Sequence, residues 1–232
     1  MNLIENISAF QNIVYIASSI LFITGIKMLG KEDTAVKGNF LSALAMFIAV
    51  AITLVNIVNP LLIIIGISIG AIVGSLIALR VKMTSIPEMV ALFNGFGGLA
   101  TFFIAWSEFN SIPENTFQYI LIMITIFIGG VTFSGSIIAY GKLSEKLTIK
   151  KTSIITKLFT TIFYISIIYL VYSISLTNIF VPTFDFFTIL LILTLLGGIG
   201  FVLPIGGGDM PVVISLLNSF SGIAAAFAGL LL

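Results

Sequence analysis

Residues 87–106 read PEMVALFNGFGGLATFFIAW, an apolar run with a single carboxamide, Asn94, set into it. A run of this length crosses a hydrocarbon layer as a helix. The same polar word, Pro-x6-Asn-x-Phe-x-Gly-x-Ala, is written twice. It runs first through Pro87, Asn94, Phe96, Gly98 and Ala100, then at one constant offset through Pro211, Asn218, Phe220, Gly222 and Ala224. An amide in hydrocarbon must find hydrogen-bond partners, so two at matched depth point to a shared polar site. Each Asn lies seven positions beyond the proline that opens its helix, about 10 Å in from the entrance. Both helices run in the same direction, which makes the repeat parallel rather than inverted.

On both sides of this run, apolar runs of similar length fill the chain. They fall at roughly 10–29, 40–58, 61–79, 87–106, 116–140, 158–177, 184–203 and 210–231. With 59% hydrophobic residues, 8% charged residues and a mean hydropathy of +1.25, the chain is not a soluble domain. Backbone amides in lipid must be satisfied within the segment, and the alternation of a barrel strand is missing. The predicted fold is all-α: a polytopic helical membrane protein of about eight transmembrane helices, its residues 1–232 forming one transmembrane domain in the lipid bilayer. Glu5 precedes the first span and no basic region opens the chain, so that span is expected to remain rather than be cleaved.

The charges give an orientation. Lys27, Lys31 and Lys37 flank the first connection, Arg80 and Lys82 the third, and Lys142, Lys146, Lys150, Lys151 and Lys157 the fifth. All ten basic residues thus lie on one side, which the positive-inside rule makes cytoplasmic. The N-terminus is expected outside. After eight spans the C-terminus is outside too, with Leu230, Leu231 and Leu232 ending the chain against the bilayer. That pattern reads as an interrupted protein, either a fragment or half of a split one.

Helical spacing sorts the polar residues onto faces. Ala91, Asn94, Gly98, Thr101 and Ala105 share one, and Ser215, Asn218, Ser221, Gly222, Ala225 and Gly229 another. Thr125, Gly129, Thr132 and Ser136 make a third, and Gly66, Gly70 and Gly74 a fourth. Such faces suit close helix packing, with hydroxyls and amides bonding across the contact, and packing is the reading for the three glycines. For Asn94 and Asn218 a polar path competes with packing. At the helix entrances, Ser85-x-x-Glu88 is predicted to be a capping box around Pro87. Asp209, after Gly206, Gly207 and Gly208, is either an N-cap or a functional carboxylate at the membrane surface.

Several chemistries are excluded. There is no His and no Cys, hence no His-based metal site, no thiolate and no disulfide. No GxGxxG turn or P-loop is present, so no cofactor or nucleotide is expected to bind this chain, and nothing suggests nucleic acid. No ionisable residue lies well inside any span, so any proton path must use Asn, Ser, Thr, Tyr and water, or borrow a titratable group from elsewhere.

Three stretches resemble a known family: PEMVALFNGFGG at 87–98, VTFSGSIIAYGKL at 131–143 and GGGDMPVVISLLNSFSG at 206–222. They are similar, in order and over nearly the whole chain, to the beta subunit of proton-translocating nicotinamide nucleotide transhydrogenase. The resemblance implies a membrane domain that conducts protons while hydride passes from NADH to NADP+ in soluble domains of the complex. It implies that Asn94 stands where some members place a proton-path His and others Asn. It further implies that Asp209, Asn218 and the Ser and Gly face of that helix belong to the path or its coupling; Ser215 and Ser221 on this face, and Thr132 and Ser136 on the fifth span, are the accompanying candidates. The expected partners are an alpha subunit and an NADP-binding domain absent from this chain. The expected setting is a dimeric complex in a bacterial inner membrane using NADP(H) and NAD(H), with this chain alone inactive. A solute transporter or permease and a structural membrane subunit are the competing readings. The first calls for a cavity wider than a file of water, and the second for tolerance of Asn218→Leu.

Overall fold

A computed structural model of the chain describes residues 3–55, 57, 60–111, 115–147, 153–176 and 184–232. Among them are eight long helices: α1 (Leu3–Leu29), α2 (Glu32–Leu54), α3 (Leu61–Arg80), α4 (Ile86–Asn110), α5 (Thr116–Leu143), α6 (Ile154–Leu176), α7 (Phe184–Val202) and α8 (Met210–Leu231). Each is long and apolar enough to cross a membrane, and no strand occurs among the described residues. The second helix starts well ahead of the apolar run at 40–58, because Glu32 and Asp33 in its first turn face the positive end of the helix dipole. The predicted ends of the second and sixth spans, at 58 and 177, lie outside the described residues.

The chain divides into two compact units, Met1–Leu76 and Ile77–Leu232. In the first, α1 and α2 form an antiparallel hairpin that closes on small residues. A Cβ added to Gly38 would come 2.7 Å from the Gly25 carbonyl oxygen, so glycine at both positions lets the backbones touch. Gln11 Nε2 donates to the Ile52 carbonyl at 3.1 Å, and the Tyr15 and Thr53 hydroxyls lie 2.9 Å apart. The α3 helix buries none of its residues. A Cβ on Gly66, Gly70 or Gly74 would meet nothing. The close packing expected of those three glycines is therefore not found among the described residues: α3 brings its small face to no neighbour.

In the second unit α5 is the central helix, with α4, α7 and α8 packed on it and α6 on α7. Asn115 starts α5 by accepting from the Gln118 N–H at 2.9 Å, a side-chain cap from extended backbone. The α4–α5 contact is set by Gly98 and Gly129: a Cβ on either would stand 2.9 Å from the other's carbonyl oxygen. Against α7, Gly198 lies on Val131 and Ser134 with no room for a side chain.

Two apolar clusters stand at opposite ends of this unit. One holds Phe102, Ala105, Ile122, Ile126, Phe187 and Leu231, with Phe109 stacked on Phe187 at 3.8 Å between ring centres. The other holds Ala91, Ala139, Val202, Met210, Val213 and Leu217. Along α4, α5 and α8 alike, the residues between the two clusters include Asn94, Thr132, Ser136 and Ser221. A polar layer thus lies between two dry ones.

Candidate functional site

Asn94 is the hub of that layer. It is 8% exposed, because Gly98 one turn on and Gly95 beside it let α4 lie directly on α5. Its Nδ2 donates to Ser136 Oγ on α5 at 3.1 Å. Its Oδ1 accepts from the Ser221 hydroxyl on α8 at 2.7 Å. One carboxamide therefore ties three helices together. A neutral side chain-to-side chain bond is worth about 0.5 to 1.5 kcal/mol net, more where no water competes. The sense of the chain is fixed too: an amide nitrogen only donates and an amide oxygen only accepts.

Ser221 Oγ also lies 2.8 Å from the Asn218 carbonyl. A hydroxyl has one proton, so Ser221 serves either Asn94 or its own helix at any moment. Ser136 is fully buried and keeps its own proton while accepting from Asn94. One turn before it, Thr132 Oγ1 is fully buried with no hydrogen-bond partner among the described residues. Leaving a hydroxyl so costs about 1 to 3 kcal/mol. Neighbouring hydroxyls behave differently: Thr101 bonds the Gly98 carbonyl and Thr125 the Leu121 carbonyl, each within its own helix. In this layer Asn94, Ser136 and Thr132 hold exchangeable protons not committed to their own turn, and Ser221 divides its proton between its own turn and Asn94.

The match to known proteins covers this whole architecture. The family model described as NAD(P) transhydrogenase beta subunit matches residues 11–232, which contain the polar layer and all of α2 to α8. The chain belongs to the NAD(P) transhydrogenase beta subunit family. It is 32% identical over 229 residues to NAD(P) transhydrogenase subunit beta of Rhodospirillum rubrum, covering 93% of this chain and 48% of that protein. The subunit from a designated strain of the same bacterium gives the same figures. The chain therefore spans about half the length of the curated relatives it matches.

With this family in view, the predicted site residues fall into two groups. Asn94, Thr132, Ser136 and Ser221 come together. Asn218 and Ser215 do not join them: both are exposed on the outward side of α8. The Asn218 carboxamide makes no hydrogen bond among the described residues. The shared polar site expected of the two amides is corrected for α8, whose small face is turned away from Asn94. That helix presents Val213, Leu217, Ala224 and Ala228 to the bundle, because the facing surface there is the apolar cluster of Ala139 and Val202. Only Ser221, at the rim between the two faces, reaches Asn94.

The helix entrances also depart from expectation. Ser85 is the N-cap residue of α4, but its side chain makes no capping bond and no capping box forms with Glu88. A 3-10 turn, Met83–Ser85, runs straight into the helix and holds Ser85 at φ −99°, ψ 7°. A capping hydroxyl needs extended backbone to reach back to the N2 or N3 amide. Asp209 repeats the construction. It ends a 3-10 turn, Gly207–Asp209, with φ −92°, ψ 0°, and is an exposed N-cap making no side-chain cap bond. Its carboxylate is therefore not used as a cap.

Sequence reasoning missed Lys142, which it counted only as a marker of orientation. Its ammonium is taken up by three backbone carbonyls at the end of α7. The available signal was a lysine in the last turn of an otherwise uncharged membrane helix.

Proposed function

We propose that this chain is the proton-conducting membrane part of a proton-translocating NAD(P) transhydrogenase, and that the Asn94 layer lies on the proton path. The observation that carries the reading is the bridge from Ser221 through Asn94 to Ser136, three neutral groups joined across three helices between two apolar clusters. Membership of the beta subunit family supports it. A transporter or a purely structural subunit has no comparable support.

The chemistry of the layer limits each role. An amide does not take up a proton at ordinary pH, so Asn94 orients its neighbours rather than carrying charge. It presents an acceptor to Ser221 and a donor to Ser136, which fixes the direction in which the hydroxyl dipoles align. Ser221 switches its proton between Asn94 and the Asn218 carbonyl, and that switch breaks or makes the bridge. Thr132 extends the layer along α5 as a hydroxyl free to engage a passing water. Ser215 and Asn218 continue the polar surface onto the outward side of α8. Asp209 supplies the acidic group at the entrance, where it would take part in coupling. The excess proton itself rides on water, or on a titratable group brought by another part of the complex.

The nicotinamide nucleotides belong elsewhere in that complex. The glycine-rich turn at Gly206–Gly208 leads into the exposed carboxylate of Asp209, which repels a phosphate instead of cradling it. Hydride transfer between NADH and NADP+ therefore requires an NADP-binding domain and an alpha subunit, and this chain alone is inactive. The reading includes a multi-pass protein of a bacterial inner membrane, in a dimeric complex, with the N-terminus outside and the Lys142–Lys157 connection cytoplasmic.

Asn94→Leu tests the reading. In membrane vesicles holding the full complex, it should lower coupled proton translocation about a hundredfold, the factor carried by two lost hydrogen bonds of about 1.4 kcal/mol each. The amount of complex in the membrane should be little changed. Translocation at the wild-type rate would make Asn94 a packing residue only.

A further inference from the structure

At the end of α5, Lys142 is half-buried and points at the end of α7. Its Nζ donates to the carbonyls of Leu203 at 2.5 Å, Ile205 at 2.6 Å and Val202 at 3.3 Å. An ammonium has three protons, and all three are used on backbone oxygens. The site is built for a cation. The last carbonyls of a helix lack intrahelical partners and carry the negative end of its dipole. Val202 and Leu203 are buried, so water does not readily take the place of the ammonium. The next lysine, Lys146, behaves as an ordinary surface lysine: exposed, with its Nζ 5.5 Å from the centre of the Tyr140 ring.

Lys142 holds one end of the turn that carries Asp209. From Ile205 the chain passes through Gly206, Gly207 and Gly208, all exposed. A Cβ on Gly207 or Gly208 would meet nothing. The Asp209 N–H to Gly206 carbonyl bond at 3.2 Å is the turn's own internal tie. The far end is fixed by Met210, which is fully buried. A turn this unsupported takes its position from its two anchors. The anchor at Lys142 lies on the same helix as Ser136, six residues on, or about 9 Å along the axis. One rigid stretch of α5 thus connects the partner of Asn94 with the anchor of the Asp209 turn.

We propose that Lys142 is a positioning residue. Its ammonium latches the α7–α8 turn to α5, so that the Asp209 carboxylate and the Asn94–Ser136 bond are held in one register. The consequence for turnover rests on the proton-path reading above, whereas the latch itself is tested independently of it.

The chain has no cysteine, so Gly207→Cys gives this subunit one attachment point for a spin label, at a position with space for it. The full complex, with cysteines removed from its other parts, is compared in membranes as wild type, Lys142→Met and Lys142→Arg, with Asn94→Leu assayed in parallel. In Lys142→Met the label should become several-fold more mobile. Coupled turnover should fall at least about tenfold, the factor for one charged hydrogen bond out of the three that are lost, at an unchanged amount of complex. Lys142→Arg should restore both. A label as restrained in Lys142→Met as in wild type overturns the latch. A freed label with wild-type turnover overturns the positioning role. If Lys142→Met does not accumulate, Lys142→Gln replaces it, and a Gln variant with a fully restrained label overturns the proposal. Wild-type proton translocation by Asn94→Leu would sink the path reading alone, since the label reports on the turn whatever the path.

Discussion

The two copies of the Pro-x6-Asn word begin alike and end differently. Both open with a 3-10 turn, a proline in the first helical turn and an N-cap residue that makes no side-chain cap bond. On α4 the Asn face then lies on α5, with Gly98 against Gly129 and Asn94 bridged to two hydroxyls. On α8 the equivalent face is turned out. A Cβ on Gly222 or Gly229 would meet nothing, and Asn218 has no side-chain bond among the described residues. Both helices offer a small polar face and an apolar face, and the neighbour decides which one is used. A repeat in sequence is therefore not a repeat in environment, and the two Asn residues meet only through Ser221.

Glycine substitutions on the two helices should differ most. In Gly98→Ala the new Cβ would stand 2.9 Å from the Gly129 carbonyl and from Thr132 Cβ. Backbone cannot retreat as a flexible side chain would, so overpacking of about 1 to 3 kcal/mol exceeds the gain of about 1 kcal/mol in helix propensity. Gly222→Ala keeps that propensity gain and meets no atom. Unfolding the detergent-solubilised chain with increasing SDS should put the Gly98 variant below wild type and the Gly222 variant at or above it. Equal losses would show that both faces are packed. A smaller effect is expected at the second Asn: in the chain alone, Asn218→Leu should move stability by no more than about 0.5 kcal/mol. A loss as large as that of Gly98→Ala would mean that Asn218 has a partner within the chain.

The eight helices were legible because length and hydropathy alone decide whether a segment spans lipid, and α8 begins and ends where its apolar run does. The α4 and α5 faces were legible too, since Gly98, Gly129, Thr132 and Ser136 recur at helical spacing and each face found the other. The capping bond expected of Ser85 does not form, and Asp209, left open between N-cap and functional carboxylate, makes none, because a side-chain cap depends on backbone angles that the 3-10 turns determine. The outward face of α8 was hidden for a different reason. Its small residues and its apolar residues make equally regular stripes, and only the apolar cluster of Val202 and Ala139 selects between them. Lys142 was hidden because its partners are backbone carbonyls, which carry no residue type to read.

On the proposed path the two copies act together through the Ser221–Asn94 hydrogen bond. A double-mutant cycle on coupled proton translocation tests it directly, using Asn94→Leu, Ser221→Ala and the pair in vesicles of the full complex. The predicted result is that the pair translocates no more slowly than Asn94→Leu alone, with an interaction energy on the order of 1 kcal/mol. Losses that simply multiply, or singles that translocate at the wild-type rate, would contradict it.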